Sequence, residues 1–346
     1  MFNIGSAFLH TVAFLLWIIC LPSAFCGDEK VERFEFSEIA MGVRARIVVY
    51  ASSEEEARTA CKAAFDRIAE LENIMSDYRP TSELMRLCAS AGAAPVKVSP
   101  ELLNILERSA EMSRRSDGAF DVTIGPMVRL WRKARQSKVL PSCEEIEAAR
   151  KLVGWHNIEI NPETRMVRLA VPGMQLDLGG IAKGYACDEA LRVIRNLGIS
   201  RALVEMGGDI AVGDPPPGKT GWRIEVANVA KAEHERTFTT NSGIRWEFKS
   251  TGQGQKSLVI DGCSNVGISS SGDTEQFIEI DGKRYSHIVD PRSGLGLTNR
   301  IAVTIVARDC TTSDSLATTV SVLGEKKGLQ FIESFDGVSA YIRRLR

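Results

Sequence analysis

Four short stretches of this 346-residue chain carry residues whose type and spacing could do chemistry. The first is Leu176-Asp177-Leu178-Gly179-Gly180-Ile181-Ala182-Lys183-Gly184-Tyr185. It reads as a strand running into two glycines and then a helix. Free backbone N–H groups at a helix start attract anions, glycine lets a phosphate come close, and Lys183 in the first turn adds a point charge. A tight turn carrying a surface lysine fits the same residues. The second is Glu205-Met206-Gly207-Gly208-Asp209, a strand ending in a turn. The third is Gly272-Asp273 together with Tyr285-Ser286-His287-Ile288-Val289-Asp290-Pro291-Arg292-Ser293-Gly294. Of the four histidines, only His287 lies in a segment dense with polar and turn residues, where an imidazole can accept a proton near neutral pH or serve a structural role. The fourth is Thr311-Thr312-Ser313-Asp314-Ser315-Leu316-Ala317-Thr318. On a helix Asp314 and Thr318 share one face, and their oxygens suit a hard cation such as Mg2+. Capping by Ser313 or Asp314, with a solvent-facing threonine, is the alternative.

The elements that must position these residues follow from periodicity and punctuation. Residues 44–50 alternate as a strand. Ala57, Ala60, Cys61, Ala64, Phe65, Ile68, Leu71 and Ile74 recur at three and four, one apolar helix face. Ser99-Pro100 opens a second helix, and Ser142 with Glu145 forms a capping box before a third. Strands are expected at 156–160, 166–171, 202–206, 257–261, 276–280, 301–307 and 338–343, and helices at 313–323 and 325–334. Residues 229–256 are polar and read as a long hairpin or insertion. The mixture lacks a regular βαβ alternation, so the fold class is α+β.

Hydrophobic residues make up 44% of the chain and charged residues 25%, the range of globular proteins, which excludes global disorder, collagen and a polytopic membrane protein. The net charge of −1 gives no electrostatic case for nucleic acid as a partner. Residues 1–26 are uncharged and apolar, with the run Ala13 to Leu21 the length of a signal-peptide core and Pro22-Ser23-Ala24 after it. A cleaved signal, an uncleaved anchor and lipidation of Cys26 each place residues 27–346 outside the cytoplasm, on the periplasmic side. A helix-rich half gives way to a strand-rich half near 170–180, where two lobes could meet. The six cysteines beyond Cys26 show no zinc spacing and read as small core residues.

Taken in order, the clusters resemble the ApbE family, the FAD:protein FMN transferases. Met41-Gly42, Ser76 to Leu84, Gly118-Ala119-Phe120-Asp121-Val122-Thr123-Ile124-Gly125-Pro126, Leu176 to Asp188, His287 to Gly294 and Ser313 to Thr318 match the family's segments from about residue 35 onward. Val43 stands where the family has Thr, and Val122 where it has Pro. The resemblance implies largely antiparallel mixed sheets with flanking helices, a T-fold-like architecture. It implies FAD as donor substrate and Mg2+-dependent transfer of FMN to a Ser or Thr hydroxyl of an acceptor protein, with AMP released. The acceptor it implies is a membrane redox subunit or an electron carrier. By the same likeness Asp314, Thr318 and the Ala182 carbonyl hold the metal. Met41, Tyr78, Ala119, Phe120, Asp121, Asp177, Lys183 and Ile288 line the FAD site. His287 acts as base, Lys183 neutralises charge, and Asp290 orients His287 or caps the turn before Pro291. Phe120 is expected to be partly structural. Rival readings are a pyrophosphatase splitting FAD into FMN and AMP, a non-enzymatic exported flavin-binding protein, and a binding module without flavin.

Overall fold

A computed structural model describes residues 30–229, 232–239, 244–250, 256–272 and 277–345. Residues 1–26, expected as a signal or anchor, and Asp273 lie outside these residues. Val31–Arg346 forms one compact unit. Among the described residues no helix is long and apolar enough to cross a membrane.

Strands β1 (Glu32–Ala40) and β2 (Val43–Ala51) open the fold, followed by helices α1 (Glu54–Met75) and α2 (Glu83–Ala89). Strand β3 (Val96–Lys97) and helices α3 (Pro100–Arg115), α4 (Gly125–Ser137) and α5 (Cys143–Arg150) come next. Strands β4 (Ile158–Asn161) and β5 (Met166–Leu169) precede α6 (Ala182–Asn196) and the hairpin β6 (Ala202–Met206) and β7 (Asp209–Val212). Then come β8 (Trp222–Val229), β9 (Ala232–Thr239), β10 (Arg245–Ser250), β11 (Lys256–Cys263) and β12 (Val266–Gly272). Strands β13 (Phe277–Ile280), β14 (Lys283–Ser286) and β15 (Ile301–Ala307), helix α7 (Cys310–Ile332) and β16 (Ser339–Leu345) complete it.

The main sheet has eight strands in the order β1-β2-β6-β7-β12-β15-β16-β9, all paired antiparallel. Both its faces are covered. Along β2, Ala45, Ile47, Val49 and Ala51 point into a core shared with α1, α6 and α7. Between them Val48 points to the other face, where Trp222, Ile224 and Ile260 of the small sheet β10-β11-β8 pack. Period-2 alternation therefore serves two cores at once. The stretch 229–256 is no single hairpin: β9 joins the edge of the main sheet beside β16, while β10 pairs with β11. Its polar character reflects edge strands, which proteins keep charged to discourage further pairing. Five of the six downstream cysteines are buried, Cys143 is exposed, and all six are free thiols.

Helix α7 is central yet poor in large side chains. Its buried Ser313, Ser315, Thr319 and Ser321 hydroxyls donate to carbonyls three or four residues back, at 2.6–3.1 Å. Small residues satisfied this way let α7 lie close to β12, β15 and α6 without orphaned donors. The helix breaks at Gly324 (φ 76°), so two helices meet where the sequence places them. Its first turn is capped from two sides. Asp309 accepts the Thr312 N–H at 2.7 Å, and Asp188 of α6 accepts the N–H groups of Cys310 and Thr311, both at 2.8 Å, and the Thr311 hydroxyl at 2.5 Å.

Helices α6 and α7 approach most closely at Gly184. A Cβ there would overlap the Cys310 carbonyl and lie 2.8 Å from Asp314 Cβ. Gly184→Ala is expected to lower stability by about 3 kcal/mol or more, because backbone rather than a flexible side chain must yield. Denaturant unfolding of the purified variant measures this, and an unchanged midpoint would count against the close approach.

Burial raises the Asp188 carboxyl to about 6, despite the opposing hydrogen bonds from Thr311 and Cys310. Its folded-state pKa lies above its unfolded value. Stabilisation from its proton is therefore complete below about pH 4 and lost as pH rises through about 6, worth about 3 kcal/mol. Parent and Asp188→Asn should differ in the slope of unfolding free energy between pH 4 and 6; parallel slopes would contradict the shift.

Candidate active site

Of the residues flagged from sequence, Lys183, Asp314, Thr318 and the Gly179–Gly180 turn come together at the start of α6 and the second to third turns of α7. No ladder strand precedes the two glycines. Residues 176–178 run as irregular chain after an isolated bridge between Ile124 and Gln175. Asp177 holds that segment in place: its N–H donates to the Val122 carbonyl at 2.8 Å, and its Oδ1 accepts the Gly179 N–H at 2.8 Å.

Lys183 is no free surface lysine. Its Nζ lies 2.8 Å from Asp209 Oδ2 and 3.8 Å from Asp314 Oδ2, with a quarter of its side chain exposed. Asp314 Oδ2 also accepts the Gly184 N–H at 3.1 Å. Burial would lower the lysine's pKa, but the Asp209 and Asp314 carboxylates outweigh it and hold the ammonium charged. Burial first, and the negative charge of Asp209 second, push the Asp314 carboxyl up, with Lys183 opposing. Two carboxylates against one ammonium leave the pocket short of positive charge.

Asp209, which the sequence places only in a turn, is the ion-pair partner of Lys183. The turn is real: Gly207 and Gly208 both have positive φ (57° and 95°), and Met206 pairs with Asp209 across it. That two-residue turn delivers Asp209, 3% exposed, to Lys183. A Gly-Gly-Asp following a strand was the available signal. Met41 sits at the tip of the β1–β2 hairpin with a positive φ of 48°, uncommon for a side chain bearing Cβ. The next residue but one, Val43, packs against Gly207, where a Cβ would lie 3.0 Å from Val43 Cγ1. The two turns therefore meet beside the Lys183 cluster.

Thr318 is half-buried one turn beyond Asp314. It faces Gly180, where a Cβ would lie 2.9 Å from Thr318 Oγ1. Gly180 thus leaves room around a hydroxyl that lies along the helix from a buried carboxylate. Carboxylate and hydroxyl oxygens beside a charge deficit are the kind of donors a hard divalent cation takes. Among the described residues no group of three or more His, Cys, Asp or Glu could hold a metal by itself.

Further along α7, Val322 packs with Ala119 and Ile288 in a small apolar cluster. His287, half-buried, precedes Ile288 on the segment after β14. That segment folds back on itself through Ser286 N to Leu297 O (2.8 Å), Leu297 N to Ile288 O (2.9 Å) and Asp290 N to Leu295 O (3.0 Å). Asp290 caps the turn around Pro291. Its Oδ1 accepts the Arg292 N–H and Nε at 3.0 and 2.9 Å, and its Oδ2 accepts Nη2 at 3.0 Å.

Two expected FAD-lining residues are structural in their contacts. Phe120 is 4% exposed in the main core. Asp121 accepts Thr123 N and Oγ1 (2.8 and 2.6 Å) on one oxygen and Trp155 N (3.0 Å) on the other, tying the 121–123 turn to residues 154–155. Burial raises its carboxyl despite those bonds. Tyr78 is the reverse case, 74% exposed, with the Arg132 guanidinium 4.2 Å from its ring centroid. The sequence gives Arg132 no distinction, because its partners Asp77 and Asp177 lie 55 and 45 positions away.

The family model of the ApbE family matches residues 41–342. The chain belongs to the ApbE family. Among curated ApbE relatives, a FAD:protein FMN transferase from Treponema pallidum is 32% identical over 95% of this chain and 89% of its own length. One from Vibrio cholerae is 30% identical over 92% of this chain and 90% of its own. Solved ApbE structures agree on the architecture. The flavin transferase ApbE from Vibrio cholerae superposes with a TM-score of 0.75 at 28% identity, covering 90% of this chain and 93% of that one. The ApbE protein of Thermotoga maritima gives 0.74 at 27% identity, covering 91% and 97%. The expected α+β class with antiparallel sheets and flanking helices holds.

Proposed function

We propose that this flavin transferase moves FMN from FAD to a Ser or Thr hydroxyl of an acceptor protein in an Mg2+-dependent reaction, releasing AMP. The observation that carries the reading is the buried cluster of Asp314, Lys183 and Asp209 beside Thr318 and the Gly179–Gly180 turn. Phosphoryl-type transfer asks a protein chiefly for positioning and charge neutralisation, and this cluster supplies both. A divalent ion held by Asp314, Thr318 and the Ala182 carbonyl would, when bound, neutralise charge on the diphosphate oxygens. Lys183 adds a fixed ammonium, kept protonated by Asp209. The Gly179–Gly180 turn lets the diphosphate approach the backbone. Ala119 and Ile288 wall the apolar side of the site, and Met41 and Tyr78 border it. His287 accepts the proton of the acceptor hydroxyl. The hydroxyl oxygen bonds to the FMN-side phosphorus, the bond from that phosphorus to the bridging oxygen breaks, and AMP departs with the bridging oxygen.

The apolar residues 1–26 support export, and an acceptor on the periplasmic face, such as a membrane redox subunit or electron carrier, fits that placement. Mass spectrometry of a Ser- or Thr-bearing acceptor peptide incubated with the protein, FAD and Mg2+ tests the reading. A mass increase of one FMN, with equimolar AMP, is expected. AMP release at the same rate without peptide, and no adduct with it, would replace transfer by hydrolysis. FAD retention without AMP would leave a binding protein.

A further inference from the structure

Arg132 belongs to none of the sequence motifs, yet it touches two of the residues that border the proposed flavin-nucleotide site. From α4 its guanidinium lies 4.2 Å from the Tyr78 ring centroid. Its Nη1 pairs with Asp77, and its Nη2 donates to Asp177 Oδ2 at 3.0 Å. The other oxygen of Asp177 accepts the Gly179 N–H. One planar cation therefore links an aromatic ring to the first glycine of the turn that faces the diphosphate. The parts are partly buried: Arg132, Asp77 and Asp177 keep 27%, 15% and 12% of their side-chain exposure.

Tyr78 is the most exposed aromatic side chain among the described residues. A ring held against a guanidinium on one face and open on the other is a stacking surface, and its orientation is fixed before a ligand arrives. Burial, and then the nearby Asp77, raise the Asp177 carboxyl, while Arg132 opposes them. Without Arg132 the two carboxylates would repel each other, and a diphosphate, at the mouth of the site. Lysine could supply the charge but not the fork that serves two carboxylates while stacking on a ring.

We propose that Arg132 is a positioning residue for FAD. It backs the Tyr78 ring as a platform for one ring system of the dinucleotide and, through Asp177, fixes the Gly179–Gly180 turn at a set distance from it. The proposal rests on the flavin-nucleotide reading above.

The test measures FAD dissociation constants by flavin fluorescence with the full chain, and steady-state transfer to an acceptor peptide. Arg132→Met should weaken FAD binding about tenfold, and Arg132→Lys, which keeps the charge if the methionine variant fails to fold, about threefold. The KM for FAD should rise by similar factors while kcat at saturation falls less than about threefold, the pattern of lost binding. In a Tyr78→Ala background Arg132→Met should cost less than about threefold, because the two residues act together. FAD binding at parental affinity by both Arg132 variants would overturn the proposal, as would the full tenfold loss persisting without Tyr78. A parent chain that retained no FAD would overturn the functional reading and this inference with it.

Discussion

Asp314→Ala loses transfer by about 10³-fold or more, equivalent to about 4 kcal/mol of lost charge stabilisation. Asp314 Oδ2 lies 3.8 Å from Lys183 Nζ and accepts the Gly184 N–H at 3.1 Å, one helical turn before Thr318. Its removal takes away the anionic donor of the proposed Mg2+ site. The fold should survive, because Lys183 keeps its 2.8 Å pair with Asp209 and the surplus negative charge of the pocket disappears. FAD is therefore still expected to bind, more weakly, and added Mg2+ should no longer raise the rate. The check is adduct formation by mass spectrometry across a Mg2+ titration, alongside FAD retention. Transfer within tenfold of the parent, still responsive to Mg2+, would remove Asp314 from the site.

His287→Ala slows transfer by about 10²- to 10⁴-fold, the span of a lost general base, with FAD and metal binding retained. A collapse of the surrounding segment is not expected, since backbone pairs from Ser286–Leu297 to Asp290–Leu295 and the Asp290–Arg292 clasp do not involve the imidazole. Added imidazole separates the base from a structural role: it should restore part of the variant's rate if only the proton acceptor is missing. Full activity in His287→Ala would end the assignment, and with it the reading of the third cluster as catalytic.

The element pattern was written plainly where one periodicity served one purpose. The α1 stripe from Ala57 to Leu71 is buried as its spacing demands, the Ser142–Glu145 capping box forms, and 301–307 is β15 residue for residue. Elsewhere two demands overlapped. Strand β1 is mostly exposed along an edge, so it carries no apolar signature, and the chain at 176–178 is held by Asp177 and Val122 rather than by a ladder. Helix α7 begins at Cys310, three residues before the expected start at 313. Its cap is Asp309, helped by Asp188 from 120 or more positions away.

What the sequence determined by itself was the family, the α+β class and most of the candidate chemistry, because residue types at fixed short spacing survive as motifs. Only the tertiary structure decided that Lys183 is clamped by Asp209, that Asp121 bonds Thr123 while Phe120 lies in the main core, and that Arg132 reaches Tyr78 and Asp177. The physical reason is that a charge is satisfied by whatever folds within a few ångströms of it. That neighbour is chosen by how sheets and helices stack, and sequence separation carries no record of it.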